Sequence, residues 1–239
     1  MNNHPDPAPA TAADAAAAMR ARHPPIWQEL VIELFFKPRR FFADQVTLWK
    51  TRYVIAVCWV TGVSGSIDRI SQELLEADLK GELGSASALD IVSPWPNYWG
   101  IVLVLGALSG FFQWWIGGWW YGVRLGWSGA KDADPRLARL VYIYASFVYA
   151  APLVICTLAE TAAFGNAIEA YQSESLWPLL TIVFLFWSLA TSYSGVTTLF
   201  EVSRWKARMW FLILPAILYL LLVGAFAMLG ALFMPEAPP

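Results

Sequence analysis

The sequence predicts an all-α membrane protein: five transmembrane helices in a bundle, preceded by an N-terminal amphipathic, interfacial helical segment. Three observations lead there. Of 239 residues, 58% are hydrophobic and 14% charged, with a mean hydropathy of +0.49, a balance that belongs to multi-pass membrane chains. Ile91 to Val123 holds 33 consecutive residues without a charge, more than the ~20 a helix needs to cross a ~30 Å hydrocarbon core. Lastly, 14 of the 16 Lys and Arg residues fall in alternate polar segments. Five spans crossing in turn give that pattern, with the N-terminus in the cytoplasm and the C-terminus outside.

Residues 1–25 are rich in Ala and Pro and nearly lack large apolar side chains, which predicts a disordered tail. The basic residues Arg20 and Arg22 follow the alanine run instead of preceding an apolar core, so the tail does not read as a secretory signal. From residue 26 to 235 the chain reads as one membrane domain. Trp27, Leu30, Val31, Leu34 and Phe35 recur at helical spacing, and Pro38 stops that helix. Beyond it Phe42, Val46, Trp49 and Tyr53 form a second apolar stripe among Lys37, Arg39, Arg40, Lys50 and Arg52. Two readings fit: a segment lying in the headgroup layer with its cations toward anionic lipid, or a cap on the cytoplasmic end of the bundle.

The first span, about 48–70, has a charge-free run of only 15 residues, Tyr53 to Ile67. It borrows length by snorkelling of Lys50 and Arg52 and by placing Asp68 at the outer interface. Residues 71–96 then read as an outer loop with a short helical piece over Gln72 to Leu79. In the second span, about 98–122, Gly106, Gly110, Gln113 and Gly117 line one helical face, which lets other helices approach closely and makes this the helix that others pack against; chance spacing of glycines is the alternative. The third span, about 140–159, carries Pro152 and a predicted kink. The fourth, about 177–200, has Thr191, Ser194 and Thr198 on one face, suited to helix packing or to a polar path. The fifth, about 209–233, follows a basic turn with Arg204 and Lys206, and residues 236–239 form a tail.

Leu34-Phe-Phe-Lys-Pro-Arg-Arg-Phe-Phe-Ala-Asp-Gln resembles the opening "F-x-x-P-x-x-x-F" segment of bacterial Yip1-domain membrane proteins. The Gly/Trp-rich second span with its basic loop, Tyr149-Ala-Ala-Pro-Leu-Val, and the Ser203-Arg-Trp-Lys-Ala-Arg turn are similar to that family as well. The likeness covers about Trp27 to Phe233 and implies a five-helix bundle with a cytoplasmic N-terminus. Eukaryotic relatives associate with small Rab-type GTPases, often through an Asp-Leu-Tyr-Gly-Pro motif that this sequence does not contain.

The residue types needed for intramembrane catalysis do not assemble in this pattern. Gly62-Val-Ser-Gly65 looks like a rhomboid-type serine motif, but both histidines, His4 and His23, lie in the tail, which leaves the serine without a base. Cys58 and Cys156 have no Cys-x-x-Cys or His partner, so neither a zinc site nor a disulfide framework is expected. Asp68 stands as a lone acid at a span end, and no ionisable side chain is expected in the middle of a span. No catalytic, cofactor-binding or metal-binding residue is therefore predicted.

The leading expectation is a non-enzymatic scaffold of the bacterial inner membrane. It would organise membrane or partner proteins through a basic cytoplasmic face of Lys37, Pro38, Arg39, Arg40, Arg204 and Lys206. The alternative is a small-molecule or ion permease with a polar path along Thr191, Ser194 and Thr198. Expected partners are the lipid bilayer, chiefly anionic headgroups, and a membrane or cytoplasmic protein of unassigned identity; a homo-oligomer is compatible and no nucleic acid is expected.

Overall fold

Backbone crossing lipid has to satisfy its own N–H and C=O groups, and a helix does so within one segment. The computed structural model describes residues 27–46, 51–81, 87–173 and 177–233, and every regular element among them is helical. The short N-terminal helices are α1 (Trp27–Phe36) and α2 (Pro38–Asp44), followed by α3 (Thr51–Leu79) and α4 (Ser87–Val92). Helices α5 (Trp95–Phe112) and α6 (Gly118–Trp127) join through a π-helical turn at Gln113–Gly117. Next come α7 (Pro135–Ala163), α8 (Ala167–Gln172) and α9 (Trp177–Leu199). Helices α10 (Arg204–Arg208) and α11 (Leu214–Phe233) join through a second π-helical turn, Met209–Ile213. Five stretches are long and apolar enough to cross a membrane: Arg52–Leu79, Trp95–Trp127, Pro135–Ala163, Leu180–Leu199 and Arg204–Ala225. They are compatible with an integral membrane protein. The expected tails at 1–25 and 236–239, and Trp49 and Lys50, lie outside the described residues.

The third span, not the second, is the helix around which the others pack. Helix α7 touches α3, α6 and α9, and 61% of its apolar stretch is buried, against 17% for the second span. The composition of the faces explains the correction. Val141, Ile143, Tyr144, Ala145, Phe147, Val148 and Ala150 are buried on successive positions of α7, so apolar residues meet neighbours on most of its circumference. The second span keeps Leu103, Val104, Leu105, Leu108, Phe111 and Phe112 exposed, and its glycines make close contacts with α3 and, at Gly117 and Gly118, with α7.

The glycine seam lies between α3 and α5. Gly106 and Gly110 are buried on α5, and a Cβ at Gly106 would lie 2.8 Å from the Val63 backbone. A Cβ at Gly110 would collide with the Cys58 carbonyl, and one at Gly62 with the Gly106 carbonyl. Small residues on both helices let the backbones meet. Gln113 closes the seam by donating from Nε2 to the Thr61 carbonyl at 3.2 Å, while Gly117 faces the Tyr142 ring of α7.

The first span does not stop near Asp68. Helix α3 runs on to Leu79, because Ile67, Ile70, Leu74 and Ala77 continue a buried stripe against Tyr98, Val102 and Ala167. On its exposed side Arg69 pairs with Glu73 at 2.7 Å and Lys80 with Glu76 at 2.6 Å, each an i,i+4 support for the helix. The stretch read from sequence as a loop with a separate helical piece is thus one helix with Asp68 inside it. The N-terminal helices also have a definite seat. Phe41 and Phe42 of α2 are fully buried; Phe41 packs edge-on to Tyr144 at 5.3 Å, and Phe42 lies against Gly195 of α9.

Candidate functional site

Asp68 is held by Tyr149, whose hydroxyl donates to its Oδ1 at 3.0 Å. Tyr149 is the middle residue of the 29 in α7, so this carboxylate sits at mid-height of the central helix. The expectation that no span carries an ionisable group in its middle is corrected by this contact. An acid beside a basic residue, Asp68-Arg69, reads like the end of a span; only the continuation of α3 to Leu79 places it inside.

Two cavities share the carboxylate. One, of about 330 Å3, is lined by Asp68, Trp95, Tyr98, Tyr149, Glu160 and Tyr171, with Leu74, Leu153, Cys156 and Thr157 among its other walls. The other, of about 510 Å3, is lined by Asp68, Ser71, Gln72, Ser146, Tyr149, Ser188 and Tyr219. Asp68, Ser71 and Tyr149 belong to both, so the carboxylate stands on the wall between them. Among the described residues, no Lys, Arg or His lines either one. Two indoles tie the second span to the end of the third: Trp95, which lines the smaller cavity, donates to the Phe164 carbonyl at 2.8 Å and Trp99 to the Thr161 hydroxyl at 3.0 Å. On α8, burial raises the Tyr171 phenol above its ordinary value, and the neighbouring Asp78 carboxylate adds to the effect. Tyr171 is therefore neutral and donates to Asp78 Oδ2 at 3.4 Å.

This chain matches no protein family, curated protein or solved structure in comparison with known proteins.

The hydroxyls of the fourth span face a different environment from Asp68. Ser194 donates to the Ala190 carbonyl at 2.8 Å and Thr198 to that of Ser194 at 2.7 Å, bonds within their own helix. Thr191 is buried at 1% exposure, and its hydroxyl has no hydrogen-bond partner. Ser188 differs, since it lines the larger cavity beside Asp68. Two fourth-span hydroxyl residues thus share a cavity with the carboxylate, Thr181 in the smaller and Ser188 in the larger, and none of Thr191, Ser194 and Thr198 lines either.

The basic residues separate into paired and exposed. Arg40 lies 3.4 Å from Glu33 and 3.9 Å from Asp44. Lys37, Arg39, Arg204 and Lys206 are exposed, and Pro38 begins α2 between the first two. Phe36 and Trp205 stand beside them at 74% and 64% exposure. Helix α2 packs on α9 with Phe42 against Gly195, the Trp187 indole donates to the Phe35 carbonyl at 2.8 Å, and α10 follows the end of α9. Arg124 lies in the last turn of α6, at the end of the second span; it donates to the Trp210 carbonyl and lies 4.4 Å over the Phe211 ring.

Proposed function

We propose that the protein is a non-enzymatic permease of the bacterial inner membrane, a five-helix bundle with its N-terminus cytoplasmic, which takes a small polar solute into the cleft at Asp68. The observation that carries this reading is the carboxylate at mid-height of α7 on the wall between two cavities. An ionisable group at membrane depth is costly and marks solute or ion pathways. Cavities with a few convergent polar groups are where ligands bind. The path follows Asp68, Ser146, Ser188 and Tyr219 rather than the Thr191, Ser194 and Thr198 face. Purified protein in liposomes is expected to take up at least one polar solute, with Asp68→Asn abolishing uptake while leaving thermal unfolding nearly unchanged. Uptake unaltered by Asp68→Asn would overturn the assignment.

A second reading keeps its own support. Exposed Lys37, Arg39, Arg204 and Lys206 with exposed Phe36 and Trp205 make a basic and aromatic surface of the kind that engages anionic headgroups or an acidic partner protein. The resemblance to Yip1-domain proteins agrees with this organising role, and a basic surface and a solute cleft within the helices are compatible in one molecule.

A further inference from the structure

Resting on the permease reading, we infer that the smaller Asp68 cavity recognises an organic ammonium group. Its walls combine the carboxylates Asp68 and Glu160 with the aromatic side chains Trp95, Tyr98, Tyr149 and Tyr171. Two acids without a base among the described residues of the lining disfavour an anionic ligand and favour a cation. Aromatic rings attract a cation through their quadrupoles, and quaternary or alkylated ammonium groups are the ligands held by such walls.

A bare metal ion fits less well. Calcium and magnesium need six or more oxygens in a tight shell, and among the described residues no group of three or more His, Cys, Asp or Glu is placed to hold a metal. The volume of about 330 Å3 is that of a small organic ligand, at the low end of the ~300–1,000 Å3 usual for such pockets. Leu74 and Leu153 add apolar wall for the substituents on nitrogen, while Asp68 marks the place of the charge. The ammonium group has two sources: a free amine, or the headgroup of a zwitterionic lipid.

The test uses the full chain in nanodiscs of phosphatidylglycerol, with radiolabelled choline as the probe. Choline is expected to bind saturably. The uncharged isostere 3,3-dimethylbutan-1-ol and acetate should compete poorly. Asp68→Asn should weaken binding about tenfold or more, as loss of one member of a close charge pair does. Glu160→Gln, which keeps the size of the side chain and removes the second charge of the lining, should weaken it less and guards against a folding defect at Asp68. Discs containing phosphatidylethanolamine separate the sources: competition with choline identifies the headgroup, and its absence identifies a free amine. Equal competition by the isostere, or binding insensitive to both substitutions, overturns the ammonium assignment. If neutral or anionic solutes are instead taken up in an Asp68-dependent way, the ligand class falls and the permease reading stands. If no solute of any class binds or crosses, both fall.

Discussion

Gly62 lies so close to Gly106 and Gly110 that backbone meets backbone, and a single methyl group decides whether that remains true. A Cβ at Gly106 would meet Val63 side-chain and backbone atoms at 2.7 to 2.8 Å, and overpacking of this kind costs on the order of 1–3 kcal/mol. Gly100, on the same helix, has nothing within 4 Å of its added Cβ. Gly106→Val is therefore expected to lower the unfolding temperature in detergent, whereas Gly100→Ala should hold or raise it, since alanine favours the helix by ~1 kcal/mol. Equal losses for the two would show that the seam does not depend on close approach. The spacing of Gly106, Gly110, Gln113 and Gly117 is visible in the sequence, but the opposing Gly62 is not singled out, because it sits in a Gly-x-Ser-Gly pattern that reads as chemistry. Asp68 was hidden for a related reason. A charge next to Arg69 looks like the end of a span unless the buried stripe Ile67, Ile70, Leu74 and Ala77 is followed through it.

Helix α2 shows what hydropathy alone leaves open. Phe41 and Phe42, preceded by Arg39 and Arg40 and followed by Asp44, describe a helix in the headgroup layer as well as one seated on protein, since lipid and protein core are both apolar to a phenyl ring. The structure seats both rings among α7 and α9 residues and leaves Lys37 and Arg39 exposed. Arg40, with Glu33 and Asp44 beside it, belongs to the fold of the segment. Arg39→Glu is expected to reduce co-purified anionic lipid by about half or more, and raised salt should imitate it because exposed charge is screened. Arg40→Glu should instead act on the stability of the α1–α2 segment, seen as faster proteolysis there. Lipid retention unchanged by Arg39→Glu at low salt would remove the basic surface from consideration. The long spans were the legible elements, because each uncharged run has no other stable state in lipid. The two π-helical turns were not legible, as no residue type in Gln113–Gly117 or Met209–Ile213 announces them.

At the scale of the whole molecule, five alternating spans would put the 128–134 loop and the α8 connector on opposite sides of the membrane. In a background with Cys58 and Cys156 replaced by Ala, Gln172→Cys should react with an impermeant thiol reagent added outside intact cells. Lys131→Cys, by the same rule, should react only once the membrane is opened; both positions are exposed. The reverse pattern would invert the orientation, and labelling of both from one side would change the number of spans. The charge count that predicts this arrangement needs no tertiary information, whereas the choice of α7 as the central helix does. Its apolar run is shorter than that of the second span, and only the residues facing it reveal which of the two is enclosed.

The contact between Asp68 and Tyr149 joins positions 81 residues apart, and that separation has a consequence during synthesis. When the first span leaves the ribosome its tyrosine does not yet exist. An aspartate near the centre of an inserting helix raises the insertion free energy by ~2.5–3.5 kcal/mol, and the first segment alone has to bear that penalty. Its commitment to the membrane is thus expected to stay provisional until the third span arrives, so the order in which the chain is made and the depth of its carboxylate are parts of one problem.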